Sequence, residues 1–125
     1  MYHILLIGAG GFLGAISRYA VSKYLNNFVT TFPLGTFTVN VIGSLLLGFI
    51  LYSVSFGKSI PTNMRDFFTI GFIGAFTTMS TFAYESFRLF EGKEFFYFGL
   101  NLFFNIFLCL AAVYAGKELA ILITK

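Results

Sequence analysis

Four long apolar segments follow one another along the chain, and each is close to the roughly 20 residues that a helix needs to cross a bilayer. They cover residues 2–25, 34–55, 63–87 and 95–124. Short connections that contain proline, glycine, asparagine or charged residues separate them, at positions 26–33, 56–61 and 88–94. The pattern predicts an all-α membrane protein with four transmembrane helices that form a single domain, residues 1–125.

Composition agrees with this interpretation. The chain is 58% hydrophobic and only 10% charged, whereas a soluble domain has about 25% charged residues. It therefore lacks the side chains that would cover a water-facing surface, and we expect a multi-pass protein of the cell (inner) membrane. The first apolar segment has no basic start and reaches full membrane length, so we expect no cleavable signal peptide. Cys109 is the only cysteine, which excludes a disulfide or a thiolate metal site within one chain.

The basic residues are divided almost evenly between the two sides of the membrane. With four spans, one side carries Lys58, Arg65, Lys117 and Lys125. The other side carries Lys23, Arg88 and Lys93, and also Arg18 if its side chain reaches the interface. An even split gives the positive-inside rule nothing to act on. It predicts insertion in both orientations and pairing as an antiparallel homodimer, and a single orientation set by details of the loops remains the alternative.

Small residues recur four positions apart within three of the predicted spans. The pairs are Gly10 with Gly14, Gly71 with Ala75, and Ala112 with Gly116. Such pairs let helix backbones approach closely in lipid. We interpret them mainly as packing surfaces, with the lining of a pore as the alternative.

A cluster of hydroxyl side chains interrupts the third apolar segment. Thr77, Thr78, Ser80 and Thr81 lie within five consecutive positions, with Met79 between them. In hydrocarbon, each unsatisfied polar group costs several kcal/mol. The cluster therefore predicts a helix that is broken in mid-membrane, a pathway for a solute, or both.

Polar residues in two other segments fall on one helix face each. Thr36, Asn40 and Ser44 are spaced by four in the second segment, and Asn101 and Asn105 are four apart in the fourth. Together with the hydroxyl cluster, these faces could line one narrow path. They could equally join helices by hydrogen bonds, and both interpretations remain open.

The ionisable residues indicate what such a path would carry. All five acidic residues lie near predicted segment ends: Asp66, Glu85, Glu91, Glu94 and Glu118. A proton relay or a cation site would need a carboxylate in mid-membrane, and neither is expected. Arg18 lies well inside a span, where it either reaches for the interface or marks an anion route. Amide and hydroxyl donors, together with the positive edges of phenylalanine rings, suit a small anion.

Three motifs relate the chain to a known family. They are GFLGAISRY at 11–19, GTFTVNVIGS at 35–44 and GFIGAFTTMSTF at 71–82. Together and in this order they closely resemble the Fluc (CrcB) family of fluoride channels, over the whole chain. The resemblance implies an antiparallel, dual-topology homodimer with two pores, which exports fluoride passively and so lowers its concentration in the cytoplasm.

The resemblance also implies roles for individual residues. The third helix would be broken at the hydroxyl cluster, where the backbone carbonyls of Gly74 and Thr77 of both subunits would hold a structural Na⁺ ion. Asn40 matches the pore asparagine of the second helix. Phe82 matches the second phenylalanine of the pair that lines the fluoride path, and the residues beside it are Ser80 and Thr81.

The chain departs from the family pattern in two places. Met79 stands where the family has the first phenylalanine of that pair, and methionine fills a similar volume without a ring edge. In the fourth helix the family often has tyrosine and serine where Asn101 and Asn105 align. Both replacements keep the capacity to donate a hydrogen bond, so both positions are expected to line the ion path.

Two other functional classes share some of these features. Small multidrug-type exporters also have four spans, but they resemble one another in using a glutamate of the first helix, and here that helix has Arg18 and no acid. A subunit that only assembles with other proteins would use its polar residues to join helices. An enzyme is not expected, because the sequence offers no nucleophile–base pair and no metal constellation.

Overall fold

The computed structural model describes residues 2–28 and 31–124, and within these ranges all regular structure is helical. The first span is Tyr2–Asn26, the second Leu34–Ser55 and the fourth Phe95–Thr124. The third, Thr62–Glu91, is also long and apolar enough to cross a membrane. The prediction of four membrane-spanning helices is confirmed, with boundaries that differ by at most four residues.

The third span consists of two halves separated by a break. Its N-terminal half, residues 62–76, begins as an α-helix at Thr62–Asp66, widens to a π-helix at Phe67–Ile73 and ends with one α-helical turn at Gly74–Phe76. Its C-terminal half is the α-helix Ser80–Glu91. The helix axis is therefore interrupted at residues 77–79, at the predicted hydroxyl cluster.

Glycines allow the first span to cross the N-terminal half of the third span at very short range. A Cβ atom on Gly10 or Gly14 would collide with the backbone of Phe67 or Phe72, and one on Gly71 would lie 2.5 Å from the carbonyl oxygen of Ile7. Only residues without a side chain fit such a crossing. The prediction that Gly10 and Gly14 form a packing surface is confirmed.

The second and fourth spans form the other closely packed pair. A Cβ on Gly48 would lie 2.6 Å from the carbonyl oxygen of Val113, and one on Gly116 would collide with the backbone of the second span near Leu45. Ala112, one turn before Gly116, is buried. The fold thus comprises two tight pairs, the first span with the N-terminal half of the third, and the second span with the fourth.

The ends of the first and third spans are also tied together. His3 Nε2 lies 2.9 Å from a carboxylate oxygen of Asp66, and the Nε–H of Arg65 points to the other oxygen at 3.4 Å. These contacts connect the start of the first span to the first turn of the third. They lie at the opposite end of the spans from the connection that carries Glu94.

Candidate functional site at the break in the third span

The backbone at the break is extended and exposes polar groups that a continuous helix would have paired. Thr77 has φ −89° and ψ 158°, so the helical hydrogen-bond ladder stops there. The backbone N–H and the hydroxyl of Thr77 both donate to the carbonyl of Ile73, each at 3.0 Å. The groups of Thr78 must therefore find partners elsewhere, since an unpaired backbone group in a membrane is costly.

The side chain of Asn40 supplies both partners. The backbone N–H of Thr78 donates to Asn40 Oδ1 at 2.8 Å, and Asn40 Nδ2 donates to the carbonyl of Thr78 at 3.1 Å. One amide thus pairs with the two backbone groups of a single residue. Asn40 therefore joins the second span to the break and contacts Thr78 of the hydroxyl cluster.

From Asn40, a relay of amide groups continues into the fourth span. Asn40 Nδ2 donates to Asn105 Oδ1 at 3.2 Å, and Asn105 Nδ2 donates to the backbone carbonyl and to the Oδ1 of Asn101, both at 2.9 Å. Asn101 Nδ2 in turn donates to Ser86 Oγ at 2.8 Å. Asn101, Asn105 and Ser86 are all buried. The amide relay, Asn40–Asn105–Asn101–Ser86, joins three spans by hydrogen bonds.

The hydroxyl cluster begins the C-terminal half of the third span. The backbone N–H of Thr81 donates to Thr78 Oγ1 at 3.2 Å. The N–H groups of a helix's first turn have no partner within the helix, and a capping side chain accepts from them in this way. The Thr78 hydroxyl donates to Thr81 Oγ1 at 3.2 Å, and the Ser80 hydroxyl lies 3.5 Å away. The cluster therefore satisfies part of the polar backbone that the break exposes.

Arg18 lies on the other side of the break. Its Nε–H donates to the carbonyl of Ala75 at 3.0 Å, in the last turn before the interruption. A guanidinium group is favourable there because the carboxyl end of a helix has unpaired carbonyls and partial negative charge. This bond joins Arg18 of the first span to the backbone of the third span at the break.

A cavity of about 500 Å³ opens beside the break. Its polar lining comes from the second, third and fourth spans and consists of Asn40, Ser44, Thr77, Thr78, Asn105 and Cys109. Phe82 and Met79 also line it, but they differ in exposure: Phe82 is 8% exposed and Met79 is 74% exposed. The residues of the described chain that border this cavity are all uncharged.

Three carbonyl groups at the break, those of Gly74, Phe76 and Thr77, have no hydrogen-bond donor within the described residues. Gly74 and Thr77 are the residues predicted to act through their backbones. Gly74 is exposed, and a Cβ placed on it would have only the carbonyl oxygen of Thr69 nearby, at 3.7 Å. The space in front of Gly74 is thus open in a single chain.

The structure does not bring every predicted site residue to the cavity. Thr36 is buried one turn before Asn40, and Asn101 lies one turn before Asn105, fully enclosed by protein. Ser80 and Thr81 lie at the break but outside the cavity wall. Asn40, Asn105, Met79, Phe82 and Thr77 are the predicted residues that line it.

Glu85 lies farther from the end of its helix than the sequence indicates. The third span continues to Glu91, four residues beyond the predicted end, so Glu85 stands six positions before the helix end. One of its carboxylate oxygens is buried and has no partner among the described residues. A second cavity of about 490 Å³ lies against this carboxylate, and its lining includes Arg88 and Glu94.

A signal for the longer helix was present in the sequence. Tyr84 and Arg88 are four residues apart, and the Arg88 guanidinium donates to the Tyr84 hydroxyl at 3.0 Å. Such i, i+4 pairs stabilise a helix, so the charge at Arg88 was a poor marker of a helix end. Ser86, which ends the amide relay, was also missed because a single serine near a helix end carries no distinctive pattern.

The structure is that of a multi-pass membrane protein with four membrane-spanning helices. Its third span is broken where polar side chains of three spans meet, which places a polar site among the spans. Residues 5–117 match the family described as CrcB-like protein, Camphor Resistance (CrcB). The chain belongs to this family.

Individual relatives extend over nearly the whole chain. The Fluoride-specific ion channel FluC of Methanococcus maripaludis is 49% identical over 117 residues, which cover 94% of this chain and 94% of the relative. FluC 1 of Methanosarcina acetivorans is 45% identical over 117 residues, 94% of this chain and 89% of the relative. FluC of Methanococcus aeolicus is 42% identical over 125 residues, and both chains are covered completely.

Proposed function

We propose that this protein is a fluoride-selective channel through which fluoride leaves the cell passively. The observation that carries the proposal is the broken third span, where uncharged hydrogen-bonding groups of three spans surround one cavity. The relatives of nearly equal length that are named fluoride-specific ion channels support the same conclusion.

The chemistry of the cavity suits a small anion. Fluoride is strongly hydrated, and moving an ion out of water is very unfavourable unless polar groups replace the water. Asn40 and the threonines at the break carry N–H and O–H groups that the ion could take over from their protein acceptors, and the ring edge of Phe82 carries partial positive charge. The lining of this cavity is uncharged, so no carboxylate in its wall would repel an anion.

The proposed pore residues are those on this cavity and in the groups bonded to it. Asn40, Phe82 and Met79 would face the ion, while Ser80, Thr81, Thr36, Asn101 and Asn105 would support the path through hydrogen bonds or line it. Arg18, bonded to the carbonyl of Ala75, would place a positive charge near its entrance. Met79 would offer a polarizable thioether instead of a ring edge.

The proposal includes an antiparallel homodimer with a structural Na⁺ ion. The carbonyls of Gly74 and Thr77 have no donor within the described chain, and the space beside Gly74 is open. In a membrane, backbone carbonyls need a partner, and unwound segments of broken helices can coordinate Na⁺. Two breaks facing each other across a two-fold axis would give four such oxygens to one ion, and the balanced basic residues permit the two orientations that this pairing needs.

The alternative of a small multidrug-type exporter has no comparable support. Such an exporter would need an acid in the first span, where the chain has Arg18, whose Nε–H is bonded to a carbonyl. Asp66, Glu85 and Glu118 lie within the third and fourth spans, and none of them lines the cavity at the break.

A growth assay separates these functions. The protein is expressed in a bacterial strain without its own fluoride exporter, and growth is measured in fluoride and, separately, in a cationic dye such as ethidium. We expect resistance to fluoride only, lost in Phe82→Ile and retained in Phe103→Leu, whose side chain is 55% exposed. Resistance to the dye without resistance to fluoride would contradict the proposal.

A further inference from the structure

The side-chain amides of Asn40 and Asn105 have no N–H group that is free to bind an ion. An asparagine side chain has two N–H bonds to donate. Those of Asn40 go to the carbonyl of Thr78 and to Asn105 Oδ1, and those of Asn105 go to the backbone carbonyl and Oδ1 of Asn101. An anion that binds at Asn40 must therefore replace one of these acceptors.

The direction of the relay is determined by the backbone. The N–H of Thr78 can only donate, so the atom of Asn40 that it contacts at 2.8 Å must be the oxygen. The nitrogen of Asn40 then faces Asn105, which must present its oxygen, and the nitrogen of Asn105 faces Asn101. Each amide orientation follows from the one before it.

Of the two bonds donated by Asn40, the bond to Asn105 is the easier to exchange. The contact with Thr78 is double, because the same residue also donates to Asn40 Oδ1, so opening it would unpair two backbone groups. The bond to Asn105 is single, has the longer distance of 3.2 Å, and lies on the wall of the cavity.

Asn105 cannot follow Asn40 when that bond opens. Its amide nitrogen is held by two acceptors of Asn101, and Asn101 donates to Ser86. Asn101 is 0% exposed and Asn105 is 5% exposed, so water does not compete for these groups. The oxygen of Asn105 is thus held at a constant place beside the N–H of Asn40.

We propose that Asn105 is a positioning residue that competes with the permeating anion for one N–H of Asn40. The inference rests on the proposed function. The anion binds to Asn40 by displacing Asn105 Oδ1, and Asn105 takes the N–H back when the anion moves on. Asn105 thereby weakens anion binding and lets the ion leave.

The sign of the effect distinguishes this role from a direct contact with the ion. If Asn105 competes, removing its oxygen frees an N–H of Asn40 and strengthens fluoride binding. The expected change is about fivefold in the fluoride concentration that gives half-maximal flux, the factor that one net hydrogen bond contributes. If Asn105 itself donated to the ion, the same change would weaken binding.

The experiment measures fluoride flux against fluoride concentration for purified protein in liposomes. Asn105→Leu keeps the approximate volume and removes both donor and acceptor, and Asn105→Ala decides the question if the leucine variant does not fold. Phe107→Leu is the matched control on the same helix, because Phe107 is 53% exposed and outside the relay.

The inference predicts a lower half-maximal concentration in both Asn105 variants and the wild-type value in the control. An unchanged or higher half-maximal concentration in the Asn105 variants would overturn it. Failure of the proposed function is recognised separately, because the wild-type protein would then show no fluoride flux at all.

Discussion

Asn40→Asp tests whether an anion passes the break, because it exchanges one NH₂ group for an oxygen and changes little in volume. The N–H of Thr78 keeps its acceptor at 2.8 Å. The carbonyl of Thr78 and Asn105 Oδ1, at 3.1 and 3.2 Å, lose their donor and face a carboxylate oxygen instead. The variant thus puts a negative charge on the wall of the cavity.

The size of the effect follows from Coulomb's law. Two like charges about 4 Å apart repel by about 4 kcal/mol at an effective dielectric constant near 20. That energy corresponds to roughly a thousandfold lower occupancy of the site by fluoride, since each 1.4 kcal/mol is a factor of ten. We therefore expect flux to fall by about three orders of magnitude at neutral pH.

The assay is fluoride efflux from liposomes, recorded with a fluoride electrode. Partial recovery as the pH is lowered is expected, because a protonated carboxyl group removes the repulsion. Gel filtration in detergent serves as the control for assembly, since a loss of flux in a disassembled protein would say nothing about the path. Wild-type flux from correctly assembled Asn40→Asp would refute the reasoning.

Three further predictions concern the ring, the glycines and the orientation. Phe82→Ile keeps apolar bulk but removes the ring edge, so flux in the efflux assay should fall at least tenfold while assembly is unchanged; normal flux would show that the ring only packs. Gly14→Ala should destabilise the fold by about 1–3 kcal/mol because its Cβ would collide with the backbone of Phe72. Gly74→Ala has room for its Cβ, so the single chain should fold but lose pairing or Na⁺ dependence. Equal thermal stability and equal pairing of the two variants would contradict this. Adding three lysines next to Lys93 should force one orientation, detectable by side-specific labelling, and abolish flux unless an oppositely biased variant is added; full flux from a uniformly oriented population would exclude the antiparallel dimer.

The sequence was most informative where a local pattern has a direct physical cost. Four apolar segments have few alternatives to membrane-spanning helices. Four hydroxyl residues among positions 77–81 indicate an interrupted helix, a solute pathway or both. Glycines four apart predicted close helix packing, and the structure shows that Gly10 and Gly14 of the first span pack against the third span.

Features that depend on contacts between distant residues were not predictable in detail. The bond from Arg18 to Ala75 joins residues 57 positions apart, and that from Asn40 to Asn105 joins residues 65 apart. Their spacing places Asn101 and Asn105 on one helix face, but the hydrogen bond between their side chains could not be predicted from it. The π-helix at Phe67–Ile73 has no marker in composition. The half-buried position of Glu85 depended on where its helix ends, which charge patterns locate poorly.

The most direct test of the central claim is the ratio of fluoride to chloride efflux from liposomes that contain only this purified protein. Both ions are measured under the same gradient, with valinomycin to carry the compensating K⁺ current and protein-free liposomes as the control. The account predicts rapid fluoride efflux with chloride efflux close to that of the protein-free liposomes. Equal rates for the two anions, or no fluoride efflux above that control, would contradict it.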